Sequence, residues 1–136
     1  MARSLPLFAG AIGGAMNLAR IARLIDARIL PEESRSDREI SKVYAGDRIS
    51  DLIAQASPET LLVTNLANAQ LIRVADLMDC PGICLVNGAD PGPELTAALA
   101  AGGTMVLVSS AGLFETCGRL YRLFGMEGLQ ENGGRA

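Results

Sequence analysis

Residues 61–79 read LLVTNLANAQLIRVADLMD. The segment opens as an unbroken apolar run, turns polar at Thr64, Asn65 and Asn68, and continues with Leu71, Val74, Ala75 and Met78 at helical spacing. A strand that is apolar at every position, rather than at alternate ones, is buried on both faces, as in a parallel sheet covered by helices. The same change recurs twice downstream, at GICLVNG (82–88) and TMVLVSS (104–110). Each run leads into a helical pattern. Residues 68–79 form the first, and residues 93–101 the second, opened by Pro93 and closed by Gly102-Gly103. The third, residues 111–124, carries Leu113, Cys117, Leu120, Tyr121 and Phe124 on one side. Repeated strand–helix units joined by right-handed crossovers predict an α/β fold, a three-layer α/β/α sandwich with a mainly parallel sheet.

Upstream, NLARIARLIDARIL sets Leu18, Ile21, Ala22 and Ile25 on one helical face with arginines opposite, followed by a short strand at Arg28–Leu30. PEESRSDRE is a polar loop, and EISKVYAGD alternates as a half-exposed strand over Ile40–Tyr44. A short helix follows with Asp47 as its expected N-cap. The domain is therefore expected over residues 17–125, with a flexible tail at 126–136. The opening MARSLPLFAGAIGGAM has a basic residue, Arg3, before a brief apolar run, as a secretory leader does, but Pro6 interrupts the run and it is too short to span a bilayer. Its glycines follow no convincing strand and lack dinucleotide-loop spacing. The expectation is an extension, poorly ordered before Met16; export to the periplasm would mark it instead as a leader.

Composition removes several function classes. The 136 residues suit one core, and 49% hydrophobic content excludes a disordered chain. Aromatics are only 4%, with no Trp, so the core is aliphatic. A net charge of −3 argues against nucleic acid as a partner. Residues 1–46 hold seven basic and five acidic groups, the remainder five and ten; solvated faces account for this imbalance as well as steering does. There is no histidine, hence no imidazole base, proton shuttle or metal ligand. Cys80, Cys84 and Cys117 are an odd count without metal-site spacing, and read as reduced, buried thiols of a cytoplasmic protein. Ser109 and Ser110 have no activating partner, because the one lysine, Lys42, lies in an earlier strand. No phosphate-binding G-x-x-x-x-G-K loop exists. Asp47 with Asp51, and Asp76 with Arg73, read as solvated helix faces. The pattern predicts no enzyme, no metal, no cofactor and no membrane span.

In a parallel sheet, ligands bind beyond the carboxyl ends of the strands. Those ends are Thr64-Asn65, Asn87-Gly88 and Ser109-Ser110, all small and polar. Asn68 begins the intervening helix, and Asp47 and Arg48 open a further helix at the same edge. Helix N-termini present free N–H groups and a positive dipole end, a setting suited to phosphate, carboxylate or nucleotide. The competing reading is purely structural: Asn68, Ser110 and Asp47 as caps, Asn87-Gly88 as a turn.

The stretches GDRISDLIAQA, LLVTNLANAQLIRVADLMDCPGICLVNGADP and TMVLVSSAGLFETCGRLYRLFG together resemble the DRTGG domain family. TNLANAQLIRVADL and LFETCGRLY are the most distinctive parts, and the resemblance covers about residues 17–125. It looks most like the small stand-alone members encoded beside iron hydrogenase or NADH-dehydrogenase-like subunits. The resemblance implies an α/β/α domain similar to the N-terminal domain of HPr kinase and to the precursor-binding domain of some Mur ligases. It also implies a non-catalytic regulatory role, as in some phosphotransacetylases. The family's acidic helix start maps to Asp47, with Ser50 and Asp51 behind it; its strand-end Thr maps to Thr64 and its strand-end Gly to Gly88. Ala69 stands where hydrogenase-linked members often carry Pro, and Ser109 or Ser110 where many carry Thr. Two functions follow as expectations. One is a regulatory domain binding a nucleotide or phosphorylated metabolite at the rim, working as a homodimer. The alternative is an adaptor subunit of a hydrogenase-like redox complex, with no small ligand.

Overall fold

The apolar runs become the middle of one six-stranded sheet. The computed structural model describes residues 8–31 and 38–125. In chain order the elements are β1 (Phe8–Asn17), α1 (Leu18–Leu24), β2 (Ala27–Leu30), β3 (Glu39–Ala45), α2 (Ile49–Gln55), β4 (Thr60–Thr64), α3 (Ala69–Leu77), β5 (Gly82–Leu85), α4 (Gly92–Ala101), β6 (Met105–Ser109) and α5 (Leu113–Leu120). A π-helical turn, Tyr121–Gly125, continues α5. The strand order is β1-β3-β4-β5-β6-β2. The four central strands are parallel, while β1 joins β3 and β2 joins β6 antiparallel. The sheet is mixed but mostly parallel, and helices cover both faces.

Every residue of β4, β5 and β6 is buried, as their continuous hydrophobicity requires. Side chains alternate between two cores. Leu61, Val63, Cys84, Met105 and Leu107 pack with α1 and α5 residues on one face. Leu62, Ile83, Leu85, Val106 and Val108 pack with α2, α3 and α4 on the other. Gly82 admits the first of these helices: a Cβ there would lie 3.0 Å from a methyl of Leu18. Among the described residues, no helix is long and apolar enough to cross a membrane.

Three local outcomes differ from the sequence expectation. Phe8–Asn17, for which the pattern predicts no element, is the edge strand β1; its pairing with β3 supplies the order that a glycine-rich segment lacks by itself. The start of α2 is capped at Arg48, not Asp47, with no side-chain hydrogen bond to the first turn. Likewise α5 begins at Gly112 and Leu113, not at Ser110. Asn68 does cap α3, its Oδ1 accepting from Leu71 N–H at 3.1 Å. Asp76 accepts from Gly103 N–H at 2.7 Å, anchoring α3 to the loop after α4. Residues 1–7 of the expected extension, and the tail at 126–136, lie outside the described residues.

Candidate functional site

Parallel pairing places the three polar strand ends on one edge. Thr64 is in register with Leu85, and Leu85 with Val108, so Thr64, Asn87 and Ser109 end their strands within about a residue or two of one another. From β3 to β6 the edge spans three strand spacings, about 14 Å. Backbone hydrogen bonds lace it together: Gly46 N–H donates to Val63 O (3.0 Å), Val86 N–H to Thr64 O (3.2 Å), Asn87 N–H to Ala111 O (2.7 Å) and Gly88 N–H to Ser109 O (2.7 Å).

Sharing an edge does not make every side chain accessible. Thr64 is fully buried and its Oγ1 accepts from Leu66 N–H at 3.2 Å, so the hydroxyl shapes its own loop. By alternation it faces the α2–α4 side, as Leu62 does. Ser109 is fully buried toward the opposite face. It shares a hydrogen bond of 2.9 Å with Thr116 Oγ1 of α5 and accepts from Ala111 N–H at 3.2 Å. Asn68 is committed to capping α3. Six of the nine expected residues remain exposed and without a core role: Asp47, Arg48, Asn65, Asn87, Gly88 and Ser110.

These six fall into two groups. Near the end of β3, Asp47 and Arg48 stand beside Tyr44 and Asp51. Arg48 reaches Asp51 at 3.8 Å, with the arginine side chain 74% exposed. Burial, and then the Asp51 carboxylate, push the Tyr44 phenol above its ordinary range. Tyr44 belongs to this end of the rim although its position in an alternating strand gave no sign of it; its spacing two residues before Gly46 is the available clue.

The second group lies between β5 and β6. The chain leaving β5 goes to α4 on one face, whereas the chain leaving β6 goes to α5 on the other. Adjacent strands whose connections diverge in this way define the crevice in which open α/β sheets hold ligands. Here Asn87 and Gly88, both at positive φ (65° and 60°), stand on one side and Ser110 and Gly112 on the other, with the Asn87 and Gly88 N–H groups bonded across to the Ala111 and Ser109 carbonyls. A Cβ on Gly112 would lie 3.4 Å from Asn87 Oδ1, so the two sides approach closely. At this point α5 starts with no side-chain cap. By contrast, Asp90 already accepts from Gly92 N–H (3.1 Å) at the start of α4. The rim thus offers amide and hydroxyl groups, the uncapped starts of α2 and α5 and one arginine, with acidic neighbours Asp47, Asp51 and Asp90.

The thiols sit away from this edge. Burial pushes Cys84 up to about 12, with Cys117 nearby adding to the effect, and burial pushes Cys117 up to about 11. Cys80 is also raised by burial. Protonated thiols are poor nucleophiles and poor metal ligands.

No protein-family model and no curated protein matches the chain. The fold does resemble a solved structure, that of the CBS and DRTGG domains of the regulatory region of Clostridium perfringens pyrophosphatase, complexed with its activator diadenosine tetraphosphate. The TM-score is 0.57 at 15% identity, over 73% of this chain and 43% of that one. The likeness is one of α/β fold, and the chain spans under half the length of that regulatory region.

Proposed function

We propose that this is a non-catalytic regulatory domain that binds a nucleotide or phosphorylated metabolite at the carboxyl edge of its parallel strands. The observation that carries the reading is the junction at the carboxyl ends of β5 and β6. There the uncapped start of α5 meets the Asn87-Gly88 turn where the two connections part to opposite faces. A phosphate would accept from N–H groups at that helix start and from Ser110 and Asn87 side chains, while Arg48 reaches a second charge farther along the edge. Support comes from the resemblance in fold to a regulatory region that is complexed with a dinucleotide polyphosphate. In this reading the chain acts in the cytoplasm, as a homodimer.

Isothermal titration of the purified chain with ATP, AMP, diadenosine tetraphosphate and acetyl phosphate tests this. Saturable heat with at least one is expected, weakened by Ser110→Ala and by Arg48→Ala. A well-folded sample that gives no heat with any of them overturns the reading.

The second reading is an adaptor subunit of a redox complex. It is favoured by Leu77, 84% exposed at the end of α3, and its neighbour Met78, 44% exposed. Purification of the tagged chain from its host should then recover a stoichiometric redox-enzyme subunit, lost on Leu77→Asp. Recovery of the chain alone would count against it.

A further inference from the structure

The outward face of α5 carries an exposed aromatic side chain. Phe114 is 92% exposed, the most exposed large apolar side chain among the described residues. One turn later, Gly118 has open space where a side chain would be: nothing lies within 4 Å of a Cβ placed there. Phe114, Gly118 and Arg122 follow one another at intervals of four, and with Glu115 and Arg119 they line a shallow recess of about 480 Å³. All five residues come from α5 and its π-helical continuation, so the recess has one wall. The inner side of the same helix is used up: Thr116 and Leu120 are fully buried.

We propose that this face docks against the same face of a second copy of the chain, with the two α5 helices antiparallel and crossing at Gly118. Self-docking about a two-fold axis requires a patch complementary to itself. This one holds a projection and a notch one turn apart on a single helix. With Gly118 facing Gly118 at the axis, the backbones approach closely, and Phe114 of each copy lies over Arg122 of the other, a cation–π contact. The charges select the direction. Glu115 sits toward the start of the helix, Arg119 and Arg122 toward its end. Antiparallel pairing brings the acidic end of one helix to the basic end of the other and opposes the helix dipoles favourably, whereas parallel pairing sets like against like. Arg119 is already held in position for this, its Nη1 donating to Ile25 O at 2.8 Å and its Nη2 bonded to Glu115 at 2.9 Å.

The inference names the face for the self-association in the proposed function and stands apart from ligand binding, so a silent titration leaves it intact. Sedimentation velocity over a concentration series tests it on the full chain. The wild-type chain is expected to dimerise. Phe114→Ser and Gly118→Lys should each raise the dimer dissociation constant about tenfold or more. Leu77→Ser, on the other helical layer, should leave it unchanged. Both α5 positions are open to solvent, so the variants should keep the wild-type circular dichroism and melting profile. A wild-type chain that stays monomeric throughout overturns the proposal. So does a dimer whose dissociation constant is unmoved by Phe114→Ser and Gly118→Lys, since another surface then makes it.

Discussion

The hydroxyl of Ser109 satisfies two partners inside the molecule: it bonds Thr116 at 2.9 Å and accepts the Ala111 N–H. Removing it leaves the buried Ala111 N–H without its acceptor and Thr116 with only a longer bond to Ala111 O (3.4 Å), so Ser109→Ala is expected to lower stability by about 1–3 kcal/mol in urea unfolding. Ser109→Ala with Thr116→Val removes both hydroxyls together and should cost less than the two single changes summed. Gly88→Ala, at φ +60°, should cost about 1 kcal/mol by the strain of left-handed backbone, read in the same assay. The thiols give a pH dependence. Below pH 9 the Cys84 thiol is protonated in both folded and unfolded chains. Between pH 9 and about 12 the unfolded chain has released the proton and the folded chain still holds it, so stability falls as pH rises. Chemical unfolding at pH 8 and pH 10.5, in wild type and Cys84→Ala, should show a shallower alkaline decline in the variant. The individual site residues were the least legible part of the sequence. Thr64, Ser109 and Asn87 look alike as small polar strand ends, yet only Asn87 stays in solvent. Which hydroxyl turns inward depends on strand parity and on which helix lies beneath, and a single strand reveals neither.

Among the elements, α3 was readable at its start, where Asn68 caps; of the expected stripe Leu71 and Ala75 are buried, whereas Val74 is half-buried, Met78 is exposed past the helix end, and Ile72 is buried instead. Asn68→Ala should therefore lower the melting midpoint, with a loss of about 1 kcal/mol and no change in fold by circular dichroism. The starts of α2 and α5 were misplaced by one and two residues. Both lack a side-chain cap, so the polar residues nearby, Asp47 and Ser110, suggested a boundary that the backbone does not use. β1 left no sign at all. A strand at a sheet edge, built from Gly and Ala, is specified by the partner that pairs with it and not by its own periodicity.

For the whole molecule, the continuous apolar runs carried the architecture: strands buried on both faces belong to parallel sheets layered by helices, and β4, β5 and β6 do. What they left open was the order of the strands and the two antiparallel edges, which depend on long-range pairing. Hydrogen–deuterium exchange should show the slowest amides in β4, β5 and β6, and earlier exchange in β1 and β2, if stability is graded from the centre outward. The edges have a consequence for how the molecule is made. Both outer strands come from the first thirty residues: β1 borders one side of the sheet and β2 the other, with α1 passing across the face between them. Ala27 waits for Ser109 and Leu30 for Val106, partners translated roughly eighty residues later. A ribosome therefore releases the clasp before it releases what the clasp closes on, and the nascent chain cannot finish its second border until β6, the last strand among the described residues, has emerged.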